Sequence, residues 1–137
     1  MREVRQERTG WRDEALSERH RIWGYDLPAV DLDFILDEYD SGDPYGLVEY
    51  KNEHAAPQDY SHPSYLALIR LGTRARLPVF CARYKEDFSE WFVTPLNEYA
   101  EVFLPKEITM NEREWVTLLY QLRGRNTPPE ILCKLHG

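Results

Sequence analysis

Apolar positions divide the chain into alternating segments with two different periods. Residues 1–9 are charged and poor in apolar side chains, which predicts a loose arm. Trp11, Ala15, Leu16, Ile22 and Trp23 follow at helical spacing and predict a first helix over about residues 12–22, with Gly24 as its stop signal. Tyr25 to Val30 reads as a short strand or extended lead-in, since Pro28 keeps Leu27 out of the helical region. Two apolar runs then flank the turn-forming Asp40-Ser41-Gly42-Asp43-Pro44: VDLDFIL before it and YGLVEY after it. This pattern predicts a β-hairpin with strands near 31–39 and 45–51.

The polar, proline-bearing loop NEHAAPQDYSHP ends at a helix start marked by Ser61 and Pro63, and Tyr65–Leu71 is apolar almost all round. Gly72 is placed to cap that helix. Leu77–Tyr84 and Trp91–Leu96 read as strands joined by a KEDFSE turn, with Pro95 tolerated towards a strand end or on an edge. Asn111 and Glu114 form a capping box ahead of Trp115, Leu118, Leu119 and Leu122 at i, i+3, i+4 and i+7. Arg123-Gly124-Arg125 ends this helix and Pro128-Pro129 forbids its continuation; ILCKLHG adds one more helical turn. The expected architecture is α+β, an α/β/α sandwich around a mixed sheet. It is a single domain with a loose arm over 1–10, a core over 11–96 and a C-terminal helical extension over 97–137.

Composition changes this picture little. The 137 residues are 42% hydrophobic and 30% charged, as in a soluble globular domain with a real core. No stretch approaches the ~20 apolar residues of a membrane span, and the N-terminal decapeptide lacks the apolar segment of a secretory signal. Cys81 and Cys133 form neither a metal nor a disulfide pattern, in keeping with a reducing cytoplasm. With 24 acids against 17 bases, the net charge of −7 argues against tight non-specific binding to nucleic acid. Four Trp, nine Tyr and five Phe are many for this length. They suggest a well-packed core or a surface that uses aromatic contacts.

The hairpin carries the candidate chemistry. Strand side chains alternate, so Asp31 and Asp33 share a face, as do Glu49 and Lys51. A turn over residues 40–44 would set Tyr39 against Tyr45 and Asp33 against Lys51, diagonal to Glu49. Two carboxylates beside runs as apolar as DFIL and GLVEY are costly unless paired or metal-bound. Hard divalent cations take such oxygen ligands together with water and phosphate oxygens.

Asp33, an apolar strand, a turn, a second apolar strand and Glu49-x-Lys51 resemble the signature of the PD-(D/E)xK (restriction-endonuclease-like) nuclease superfamily. The chain is also similar to small phage- or prophage-borne proteins of this type. The resemblance spans roughly residues 12–95. It implies a helix, β-meander, helix, strand core, here followed by the C-terminal helix. It departs from the family pattern in that the proline is Pro28, not directly before Asp33, and Asp31 competes for the aspartate's role; Asp33 is preferred because the unbroken FIL run begins after it.

The resemblance further implies a Mg²⁺- or Mn²⁺-dependent nuclease with Asp33, Glu49 and Lys51 as catalytic residues. The metal would be held by Asp33, Glu49 and the Tyr50 backbone carbonyl, with Glu18 or Asp31 as a further ligand. Arg19, Arg74 and Arg76 are candidate substrate contacts, as a helix charge and a TRAR cluster. Gln58, His62 and Tyr65 are the options for the supporting Gln or Tyr that some members carry, and His54 lies at the site's rim. The expected partner is nucleic acid, DNA in preference to RNA, with no membrane and with a homodimer to grip a duplex. The alternative is a non-catalytic nuclease-like binding module, such as a phage-encoded inhibitor or adaptor of a host defence or DNA-processing protein. The acidic charge and the aromatics suit that alternative.

Overall fold

A computed structural model describes residues 14–23, 30 and 32–137. The expected loose arm, the Gly24 stop, the lead-in from Tyr25 and the candidate ligand Asp31 lie outside the described residues. The chain divides into two compact units, Met1–Asp31 and Leu32–Gly137. Of the first, the helix α1 (Glu14–Ile22) is described, with Glu14 in its first turn and Arg19, His20 and Arg21 in its last, an order that complements the helix dipole.

The second unit is α+β. Its elements run β1 (Phe34–Asp37), β2 (Pro44–Asn52), α2 (Pro63–Ala75), β3 (Val79–Tyr84), β4 (Trp91–Pro95), α3 (Glu98–Glu101), β5 (Ile108–Met110), α4 (Glu112–Leu122) and α5 (Pro129–Leu132). The strands form one five-stranded sheet in the order β1-β2-β3-β4-β5. All neighbours are antiparallel except β2 and β3, which run parallel. A parallel pair needs a crossover connection, and α2 provides it.

Alternation along the strands makes two unequal faces. On one, Val48, Phe80, Ala82, Trp91 and Val93 are buried with Trp115 and Leu118 of α4. On the other, Leu47 and Val79 are buried with Leu68 of α2. The first face holds the aromatic core: the Tyr50 ring lies edge-on to Phe34 at 5.0 Å and to Trp91 and Trp115 at 6.1 Å each, geometry that suits the ring quadrupoles. Part of the high aromatic count is spent here, while Tyr39, Phe92 and Phe103 stay exposed. Residues 97–137 contribute β5 to the sheet and Trp115 to this core.

Two local expectations are corrected. The hairpin forms, but its register differs: Phe34 pairs with Val48, Leu36 with Gly46 and Asp37 with Pro44, with a bulge after Leu36. The turn begins earlier than the proline suggests, because the Glu38 amide donates to the Asp43 carbonyl at 2.9 Å and Gly42, at φ +73°, donates to the Glu38 carbonyl at 2.7 Å. The paired strand therefore ends at Asp37, and Tyr39 projects into solvent, 94% exposed. Continued outward, this register sets Asp33 level with Glu49 and not with Lys51.

The second correction concerns Gly72, which lies inside α2 and not at its cap. Arg76 takes the left-handed cap conformation instead, at φ +60°, and the Leu77 amide closes the helix end on the Gly72 carbonyl at 2.8 Å. Gly72 is needed for closeness: a Cβ there would lie 2.1 Å from Val79 Cγ2. Asn97 fixes the same corner, accepting from the Val79 and Ala100 amides at 3.2 and 2.9 Å and donating to the Leu77 carbonyl at 2.8 Å.

Gly72→Ala should therefore destabilise the protein by roughly 1–3 kcal/mol through overpacking, although alanine is the better helix former by about 1 kcal/mol. Urea denaturation measures it, and an unchanged or raised midpoint would contradict this close approach.

Candidate functional site

Strand β2 sorts its side chains by pleat. Tyr50 turns into the aromatic core, so Glu49 and Lys51 turn to the α2 face, where their β3 partners in register are Cys81 and Arg83. Asp33 immediately precedes β1. Leu32 packs against the Leu47–Leu68–Val79 cluster and Phe34 packs on Tyr50, which holds residue 33 from both sides. The Asp33 carboxylate accepts the Tyr50 amide at 3.1 Å, taking over where the β1–β2 ladder has ended. In an extended strand the N–H and C=O of one residue leave on the same side, so the Tyr50 carbonyl projects towards the edge that Asp33 occupies.

Three charged groups thus converge. Lys51 Nζ lies 3.2 Å from Glu49 Oε2, and the Glu49 side chain is 16% exposed. Burial pushes the Glu49 carboxyl above its ordinary value near 4.5, and the negative charge of the neighbouring Asp33 carboxylate pushes it further. Lys51 opposes both effects. Beneath the group lie tyrosines held neutral: burial raises Tyr60 to about 12 and moves Tyr65 higher still, and it raises the Cys81 thiol between them. On the opposite face burial raises Tyr50 to about 12.

A cleft of about 270 Å³ opens beside Lys51, walled by the loop after β2 and the start of α2. Gln58, His62 and Tyr65, singled out in the sequence, all line it. His62 caps α2, its Nδ1 accepting from the Ser64 amide at 3.2 Å. The loop is held by Arg83, whose guanidinium donates to the carbonyls of Glu53 at 3.0 Å, Ala56 at 3.3 Å and Ala55. Sequence reasoning missed Arg83. Its part follows from the parallel register Lys51↔Arg83, which no local pattern reveals.

The other candidates are placed differently. Glu18 and Arg19 belong to α1 in the N-terminal unit. Arg74 and Arg76 sit at the C-terminal end of α2, while His62, which lines the cleft, caps its N-terminus. That separates them from the cleft by most of a 13-residue helix, about 20 Å. Arg123 of the RGR element forms a forked ion pair with Glu38 at 2.5–3.0 Å and lies over the Tyr45 and Tyr120 rings, so it braces the hairpin turn. That pairing holds the Glu38 carboxyl below the usual range.

Among the described residues, a group of three side chains able to ligate a metal forms at Glu53, His54 and Glu86, all exposed. Internal contacts account for it: Glu53 accepts the Glu86 amide at 2.7 Å, and His54 Nε2 lies 3.7 Å from Glu86 Oε2. Also among the described residues, no helix is long and apolar enough to cross a membrane. Compared with family models, curated proteins and solved structures, the chain matches none.

The raised Glu49 carboxyl has a pH signature. At a pH between the ordinary value and the raised one, the folded protein keeps a proton that the unfolded chain has released. The stability this confers is present in mild acid and is lost as pH rises through the raised value. Glu49→Gln should flatten that part of the profile and raise the thermal midpoint at neutral pH by a few degrees. Melting curves from pH 4 to 8 measure it; a midpoint for Glu49→Gln below wild type at pH 7 would contradict the strained pair.

Proposed function

We propose that the protein is a divalent-metal-dependent nuclease that hydrolyses phosphodiester bonds, on a core of the restriction-endonuclease-like type that its motif resembles. The observation that carries this reading is the convergence of Asp33, Glu49 and Lys51 where the β1–β2 ladder ends. Two carboxylates crowded together at a cost to Glu49 form a donor set that a hard cation relieves, and the Tyr50 carbonyl adds a third oxygen on that side. These donors fit Mg²⁺ or Mn²⁺. When bound, such an ion polarises a phosphate and lowers the pKa of a water.

The chain's own residues do the rest. Asp33 keeps one carboxylate oxygen on the Tyr50 amide, which orients the other. Glu49 steers the Lys51 ammonium, which can hold the attacking water and stabilise negative charge developing on phosphorus. Burial of Tyr50 in the aromatic core fixes the spacing between the two. DNA is the expected substrate in preference to RNA. At a net charge of −7 the protein depends on local positive charge to approach it, so activity should fall steeply with salt.

Lys51→Ala should lower cleavage by at least ~10²-fold while leaving the fold intact, the usual scale for a lost transition-state contact. Asp33→Ala and Glu49→Ala should lose both cleavage and the rise in thermal midpoint that millimolar Mn²⁺ brings to the wild type. The assay is turnover of labelled single- and double-stranded DNA and RNA at low salt. A wild type that cuts none of them would leave the second reading, favoured by the acidic charge: a binding module directed at a host protein.

A further inference from the structure

In a chain of net charge −7, the stretch from Tyr60 to Lys85 contains no acid. Helix α2 lies within it and turns Tyr65, Leu68 and Gly72 inward. Its opposite face is exposed at Ala67, Arg70, Leu71, Arg74 and Ala75, which recur at i, i+3, i+4, i+7 and i+8, and the exposed cap Arg76 follows them. Several other cations of this unit are engaged internally. Lys51, Lys85 and Arg123 each pair with an acid, and Arg83 gathers three loop carbonyls. Among the described residues, Arg70, Arg74 and Arg76 form no ion pair. The helix dipole favours cations within the last turn only, which accounts for Arg74 and Arg76 but not for Arg70, more than a turn earlier.

The character of this face selects its partner. Leu71, 52% exposed, is its one large apolar side chain, too little buried area for adsorption to a membrane. Guanidinium forks, with no carboxylate between them, match phosphate oxygens two at a time. Arg70 and Arg74 stand eight and twelve residues beyond His62, which lines the cleft beside Lys51, so they lie about 12 and 18 Å from it along the helix axis. A duplex advances about 3.4 Å per nucleotide along its axis, and roughly twice that along the strand itself, so the interval is about two to five nucleotides. A stiff duplex holds its phosphates at such distances without further ordering.

We propose that the outer face of α2 is a phosphate track for duplex DNA, on which Arg70, Arg74 and Arg76 hold the sugar–phosphate backbone to one side of the bond cut at Asp33, Glu49 and Lys51. The proposal rests on the nuclease reading and deepens it, because it gives the substrate a minimum length on that side of the cut. Contacts of this kind fix register and orientation and carry no sequence preference.

Binding is tested on the full chain carrying Lys51→Ala, so that turnover is slow. A short fluorescein-labelled duplex is titrated by anisotropy in millimolar Mn²⁺ over a range of salt. Each lost phosphate contact lowers the slope of log affinity against log salt by about 0.9. Adding Arg70→Gln and Arg74→Gln together should therefore make the fall in affinity between about 50 and 200 mM salt roughly tenfold smaller. Arg113→Gln with Lys134→Gln makes the same change of charge at exposed positions, the first on α4 across the sheet, and should leave the slope as it was. Melting curves check that both pairs fold. No binding, an unchanged slope, or equal effects of the two pairs would overturn the proposal. In the otherwise wild-type chain, kcat/KM should rise as the duplex lengthens from about two to about five pairs on one side of the cut, and Arg70→Gln with Arg74→Gln should remove that step through KM. A changed slope without any cleavage removes only the catalysis. Cleavage with an unchanged slope removes only the track.

Discussion

The placement of one tyrosine governs the candidate site. Tyr50 is held by Phe34, Trp91 and Trp115 from three separate elements, and β2 cannot rotate about its axis without tearing that ring out of the core. Strand pleating then leaves Glu49 and Lys51 no choice of face. The same residue's amide holds Asp33, so the hydrophobic core and the charged group are two faces of one backbone segment. The aromatic packing thereby opposes the separation that the crowded carboxylates would otherwise favour.

Much of this arrangement was legible in the sequence because it depends on local periodicity. The hairpin, α2, the β3–β4 turn and the Asn111–Glu114 capping box follow from alternation, helical spacing and turn residues within a few positions of one another. That Asp33 and Glu49 share a side also follows from parity, which survives a register change of two residues. The register itself was not legible, since nothing local marks the bulge after Leu36, and the turn's ion pair joins Glu38 to the distant Arg123. Nor was the role of Gly72, whose position suggested a cap until the approach of Val79 was known.

The cleft residues were visible one by one and not as a group. Gln58, His62 and Tyr65 stand in a loop and a helix whose meeting point is set by the parallel pairing of β2 with β3. β5 escaped notice because three residues, Ile108–Met110, are too few to display a period. Acidic overall charge, read as a mark against a nucleic-acid partner, is a sum over the whole surface. It carries no information about the few ångströms around Lys51.

The pairing of Glu38 with Arg123 joins positions 85 apart in the chain, and Tyr50 meets Trp115 across a shorter but still long span. Contacts of such separation form slowly, because a long loop must close before they repay its entropy. During synthesis from the N-terminus the hairpin emerges well before β4 and α4, with Tyr50 lacking Trp91 and Trp115 and the turn lacking its brace. The packing that fixes the charged group of the hairpin is therefore complete only with residues from the last third of the polypeptide, Trp115 against Tyr50 and Arg123 against Glu38.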